Sequence, residues 1–151
     1  MKIKLAIDSG WGGAMAVSYK SQIWTVNSGE TYKDIFDDVK QIKNLADDEG
    51  YTIDCLLEKV SGMPGQNVKA TWSQCENFTA YEVILMCLGV SVKLITPQSW
   101  QKHFSQVPKG KGAYADRKQY FKEKMQAFFP TLKVTKDNAD ALAILSVFDK
   151  L

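Results

Sequence analysis

Two short apolar runs, each closed by an acid, constrain this chain more than anything else in it. The first is Lys2-Ile3-Lys4-Leu5-Ala6-Ile7-Asp8, in which Ile3, Leu5 and Ile7 alternate as in a strand that buries one face; the second runs from Ile53 to Glu58. In sheets flanked by helices, chemistry gathers outside the carboxyl ends of the strands, which is where Asp8 and Glu58 stand. Ser9-Gly10-Trp11-Gly12-Gly13 reads as a turn, and 14–19 with 22–26 reads as a hairpin around Lys20-Ser21. Ile35, Val39, Ile42 and Leu45/Ala46 form a helical stripe that Gly50 closes. A long helix is expected over about 67–88 with Gly89 as its stop, then a buried strand at 92–95 and a helix start at Thr96-Pro97. Further helices are expected over about 113–129, ended by Pro130, and over about 137–150. This order predicts an α/β domain over residues 1–151, a mixed five-stranded sheet with helices on both faces.

Composition narrows the function. Of 151 residues, 45% are hydrophobic and 24% charged, which fits a globular domain and excludes a disordered or collagen-like chain. No apolar run approaches the ~18 residues of a membrane span, so no membrane partner is expected. Cys55, Cys75 and Cys87 lack any C-x-x-C spacing, which points to reduced thiols in a cytoplasmic setting and away from a zinc site or disulfide scaffold. The net charge is only +2, but residues 102–124 hold seven Lys/Arg against two acids, while the remainder holds 12 basic and 15 acidic residues. Such a local surplus marks either a polyanion-binding face or a solvated helix face.

The strongest chemical signal is a set of four acids. At ~100° per residue, Asp137 and Asp140 share the stripe of Ala141, Ile144, Leu145 and Phe148 on the last expected helix. An acid on a core stripe is costly unless paired or bound to a cation, and two acids three residues apart also repel each other. Each acid alone has an ordinary explanation: Asp137 as a helix-start residue, Asp8 as a turn former, Glu58 as a lysine partner. Together, two at strand ends and two facing inward from a helix, they make a hard-oxygen set suited to Mg²⁺ or Mn²⁺. Two such ions ~4 Å apart activate a water and stabilise the leaving oxygen of a phosphodiester. This requires that the acids meet and are not neutralised by built-in cations.

The helix expected over 113–129 supplies a matching surface. Arg117 and Lys124 border one side of its apolar stripe (Tyr114, Phe121, Met125, Phe128), and Lys118 and Lys122 border the other. With Lys109 and Lys111 in the glycine-flexed loop 108–112, they form a candidate cradle for a polyanion backbone, the alternative being a core helix with solvated lysines.

Over nearly its whole length the sequence resembles the RuvC-like Holliday junction resolvases of the RNase H-like superfamily, and especially their short phage-type members. The resemblance rests on Ala6-Ile7-Asp8-Ser9-Gly10 with Gly13-Ala14-Met15-Ala16-Val17, Leu57-Glu58-Lys59-Val60, Met63-Pro64-Gly65-Gln66, Ile95-Thr96-Pro97-Gln98-Ser99-Trp100 and Asp137-Asn138-Ala139-Asp140-Ala141-Leu142-Ala143, in that order. It implies an RNase H-like fold and a metal-dependent crossover junction endodeoxyribonuclease acting on branched DNA as a homodimer through the 67–88 helix. Asp8, Glu58, Asp137 and Asp140 match the family's tetrad for two Mg²⁺ ions, with Mn²⁺ able to substitute. Asp8 would bridge both ions, Glu58 and Asp140 would each favour one, and Asp137 would complete the site or orient water. Lys102 is either a transition-state lysine or a phosphate contact. Bacterial members place an aromatic wedge where Ser61 stands here, which makes Met63 the candidate apolar wedge. His103 lies outside the tetrad and is expected at the surface or a helix end. The alternatives are a flap- or fork-directed nuclease of the same fold and a non-catalytic branched-DNA-binding protein. A nucleotide cofactor is not expected: Asp8-Ser9-Gly10-Trp11-Gly12-Gly13 superficially resembles a phosphate loop, but proteins of that type need two domains around the nucleotide. If phage-encoded, the protein would act in the bacterial host cytoplasm.

Overall fold

β1 (Lys2–Asp8) is the middle strand of a five-stranded sheet ordered β3-β2-β1-β4-β5, and its composition explains why: Ile3, Leu5, Ala6 and Ile7 are all fully buried. The computed structural model describes residues 1–59, 67–110 and 112–151. β2 (Ala14–Tyr19) and β3 (Gln22–Asn27) form the expected antiparallel hairpin, and β2 pairs antiparallel with β1. β4 (Thr52–Glu58) and β5 (Val92–Ile95) run parallel to β1 on its other side.

Two helices cover one face. α1 (Tyr32–Asp48) starts at a reciprocal cap between Thr31 and Asp34 and buries Ile35, Val39, Ile42 and Ala46. α2 (Val68–Cys87) is capped by Asn67, whose side chain accepts from the Lys69 N–H, and buries Asn77, Tyr81 and Leu85. They pack on Ile3, Leu5, Ile7, Met15, Val17 and Leu57 of the sheet.

The other face carries α3 (Pro97–Gln101), α4 (Tyr114–Phe128), α5 (Ala139–Ser146) and a 3₁₀ turn at Phe148–Lys150. Here the central strands contribute the small Ala6, Ala14 and Ala16, and α5 adds Ala139, Ala141 and Ala143, all fully buried. Small residues on both partners let a helix lie close to a sheet, which brings the start of α5 up to the ends of the central strands.

The last helix begins later than its periodicity suggests. Asn138 Oδ1 accepts the Thr135 N–H at 2.8 Å, and Asn138 Nδ2 donates to Thr25 Oγ1 of β3 at 3.1 Å. These bonds hold residues 135–138 as a turn tied to the sheet, so Asp137 precedes α5 and is exposed instead of sharing its buried stripe. No helix among the described residues is long and apolar enough to cross a membrane.

Candidate active site

Strand geometry brings the first two acids together. Ile7 of β1 pairs with Leu57 of β4, so the next residues, Asp8 and Glu58, end adjacent parallel strands side by side. Side chains alternate along a strand. Asp8 therefore shares its face with Ala6, and Glu58 with Leu56, both on the side covered by α3, α4 and α5. Asp140, in the first turn of α5, joins them there.

A lysine joins the three acids. Lys118 Nζ of α4 lies 2.5 Å from Asp140 Oδ2 and 3.5 Å from Asp8 Oδ2. The side chains of Lys118, Asp8 and Asp140 are only 17%, 11% and 15% exposed. Glu58 has a different partner: the Trp100 indole Nε1–H donates to its Oε2 at 2.5 Å.

The turn after Asp8 is fastened on two sides. Gly13 N–H closes on the Gly10 carbonyl at 2.9 Å, and a Cβ on Gly13 would stand 2.1 Å from the Asp8 carbonyl oxygen, so only glycine fits. Gly10 N–H donates to Asn77 Oδ1 at 2.7 Å, and Ser9 Oγ donates to the Glu58 carbonyl at 3.1 Å. Asn77 is fully buried on α2, and Asn77 and Tyr81 both donate to Ser28 Oγ, at 3.3 and 3.4 Å.

The electrostatics follow from burying like charges together. Burial raises the Asp8 pKa, the Asp140 charge raises it further, and Lys118 opposes both. Burial and then Asp8 raise Glu58, against the lowering effect of the Trp100 hydrogen bond. Burial works against the Lys118 charge, but Asp8 and Asp140 outweigh it and hold the ammonium above the ordinary lysine range. Asp140 Oδ1 is buried with no hydrogen-bond partner.

The chemistry of these donors, hard carboxylate oxygens, is the kind a divalent cation takes. Two of the three carboxylates, Asp8 and Asp140, share one lysine, and a buried oxygen of Asp140 lacks any donor, a condition a metal ion would relieve. As the side chains stand, no three or more of the described His, Cys, Asp and Glu residues are grouped so as to hold a metal ion. Lys118 bridges Asp8 and Asp140, so a cation that takes both must displace its ammonium.

Of the residues singled out in the sequence, Asp8, Glu58 and Asp140 meet. Asp137 stands at the rim, exposed, and its charge contributes to raising Asp8. Lys118, expected beside an apolar stripe, points into the cluster. Lys102 caps the end of α3, is exposed, and takes no part in the described ion pairs of the cluster. Arg117 is half-buried with Nη1 donating to the Pro108 carbonyl at 3.5 Å; Lys122 is half-buried and Lys109 exposed. His103, expected at the surface or a helix end, follows the end of α3; it is half-buried, and its Nε2 is buried without a partner. Met63 and Lys111, like Ser61, lie outside the described residues. Two supporting residues carried no assigned role in the sequence. Asn77 is signalled by a polar residue on the buried 77/81/85 stripe of α2, whereas the Trp100 contact to Glu58 spans 42 residues and has no local signal.

Two solved structures of Thermus thermophilus RuvC share this architecture. RuvC in complex with Holliday junction substrate is 12% identical, with 95% of this chain and 90% of that chain covered, at a TM-score of 0.58. A second Thermus thermophilus RuvC structure is also 12% identical, with 94% and 90% covered, at a TM-score of 0.53. No family model matches the sequence, and no curated protein matches it. The fold is thus the RuvC-type, RNase H-like arrangement of a mixed five-stranded sheet and helices.

Proposed function

We propose that this protein is a structure-selective endodeoxyribonuclease that cuts branched DNA, four-way junctions above all, by metal-assisted phosphodiester hydrolysis. The observation that carries this reading is the meeting of Asp8, Glu58 and Asp140 at the carboxyl ends of β1 and β4. The substrate class is supported by the shared fold with a RuvC in complex with Holliday junction substrate.

Asp8, Glu58 and Asp140, with Asp137 at the rim, would hold two Mg²⁺ ions, for which Mn²⁺ can substitute. Bound there, such ions activate a water and neutralise charge on the leaving oxygen. The chain's own groups do the rest. The Gly10–Gly13 turn fixes Asp8 at the strand end. Lys118, if displaced from Asp8 and Asp140, would be free to pair with a phosphate oxygen of the DNA. Lys109, Lys111, Arg117 and Lys122 would contact the backbone without reading sequence, Lys102 would add a phosphate contact, and Met63 would act as an apolar wedge.

A homodimer through α2 fits the same reading. Trp72, Cys75, Thr79 and Val83 line a groove of about 490 Å³ with Tyr32 of α1, and Met86 continues the exposed face. A two-fold pairing of this face would cover it and set two sites on opposed strands.

The Lys118 bridge favours a second reading, a non-catalytic branched-DNA-binding protein whose acids are held by the lysine in place of metal. One experiment separates them: labelled four-way, forked, flapped and linear DNA incubated with Mg²⁺ or Mn²⁺, with cut sites mapped. Paired nicks in opposed junction strands support the first reading, and cuts confined to flaps or forks indicate a nuclease for those substrates. Junction binding without cutting supports the second reading, and neither binding nor cutting overturns both.

A further inference from the structure

The path from β5 to α3 ends on a carboxylate of the cluster. Ile95, the last residue of β5, pairs with Glu58, and the Lys59 N–H donates to the Ile95 carbonyl at 2.7 Å. The next residue, Thr96, caps α3 through a reciprocal bond with Ser99, and Pro97 supplies a first helical residue that needs no N–H partner. A single helical turn then returns Trp100 over the Glu58 side chain.

Trp100 is 1% exposed, and its ring is held from several sides. Phe121 lies 4.8 Å away and Phe104 6.2 Å away, centroid to centroid. Phe121 belongs to α4, three residues beyond Lys118. The indole has one donor and no acceptor, and it gives that donor to Glu58 Oε2. No other side-chain donor among the described residues reaches this carboxylate. A carboxylate with one oxygen held by a rigid, buried donor has its plane set and its second oxygen left for a cation. A flexible glutamate without that bond would lose rotamer freedom on binding metal.

We propose that Trp100 is a positioning residue, whose indole N–H presets Glu58 to receive a divalent cation. The inference rests on the metal-site reading above. It gives Trp100 a role beyond packing against Phe104 and Phe121.

The test uses the intact, DNA-free protein and Mn²⁺ titrated by electron paramagnetic resonance. Trp100→Phe keeps an aromatic ring in the core and removes the donor. Benzothienylalanine placed at position 100 keeps the two-ring shape and replaces only the N–H. Both are expected to weaken Mn²⁺ binding by roughly 10–100-fold while metal-free junction affinity stays unchanged. Wild-type Mn²⁺ affinity in the benzothienylalanine protein overturns the proposal even if Trp100→Phe binds weakly, because packing and not the N–H would then be responsible. Absence of Mn²⁺ binding to the wild type overturns the metal-site reading itself, a distinct result. The unaltered protein provides a further check that no variant's folding can confound. The Trp100 indole N–H resonance is expected to shift when Mg²⁺ is added, and an unmoved resonance under saturating Mg²⁺ counts against the proposal.

Discussion

The two faces of the sheet are built from opposite kinds of residue. Toward α1 and α2 the central strands present Ile3, Leu5, Ile7, Met15, Val17 and Leu57, large and fully buried. Toward α3, α4 and α5 the same strands present Ala6, Ala14 and Ala16 and then, at their ends, Asp8 and Glu58. The first face removes much apolar surface from water and has no carboxylate, ammonium or guanidinium turned into it from the central strands. The second gives up side-chain volume so that α5 can approach, and it gathers like charges where burial disfavours them. Stability and chemistry are thus separated by the two-residue repeat of a strand.

The largest test of this division is Asp8→Asn. Cleavage of a labelled four-way junction in Mg²⁺ should fall at least roughly 10²-fold, while the melting temperature of the metal-free protein does not fall, because a neutral amide relieves the buried repulsion. Undiminished cutting would remove the chemical role of the second face. On the first face, Leu5→Ala should cost about 2–5 kcal/mol in urea unfolding and leave cutting per folded molecule unchanged. Ala16→Leu should do the reverse: about 1–3 kcal/mol lost to overpacking, with a disproportionate loss of cutting because α5 and Asp140 are pushed off the sheet.

A pH series sharpens the comparison further. The Asp8 carboxyl is raised from 3.8 to about 7 in the fold, by burial first and then by Asp140. The folded protein therefore holds that proton more tightly than the unfolded chain does. The resulting stabilisation is fully present below about pH 4 and is lost as pH rises toward 7. Metal-free melting temperatures should decline across that window, and the increment produced by saturating Mg²⁺ should grow across it; a flat increment would argue that the acids do not share a cation. The smallest expected effect is at the exposed Lys109. Lys109→Ala should weaken junction binding modestly and reduce the slope of log affinity against log salt by about 1, leaving the metal response untouched.

Much of the fold was legible because it follows from local periodicity. The alternation in β1, the 35/39/42/46 stripe of α1 and the cap at Thr96-Pro97 are each visible within a few residues, and all appear as expected. Two site acids were legible for the same reason, since an acid that closes an apolar strand can only stand at its mouth. Asp137 misled because helical phase assumes that the helix has already begun. The Asn138 bonds to Thr135 and to Thr25, 113 residues away, delay it. The Lys118 contacts to Asp8 and Asp140 were not legible, because its position beside an apolar stripe was visible while the direction of its long side chain was not.

By itself the sequence determined which residues form strands and helices, which faces are apolar, and that four acids must be accommodated somewhere near the strand ends. Hydrophobic spacing and capping act over one or two turns, so they are written in the chain locally. Only the tertiary structure decided that Lys118 bridges two of the acids, that Trp100 holds a third, and that Asn77 ties the Asp8 turn to α2. Those contacts depend on how elements rotate and settle against one another, and a buried charge or donor takes whichever partner that packing brings within reach.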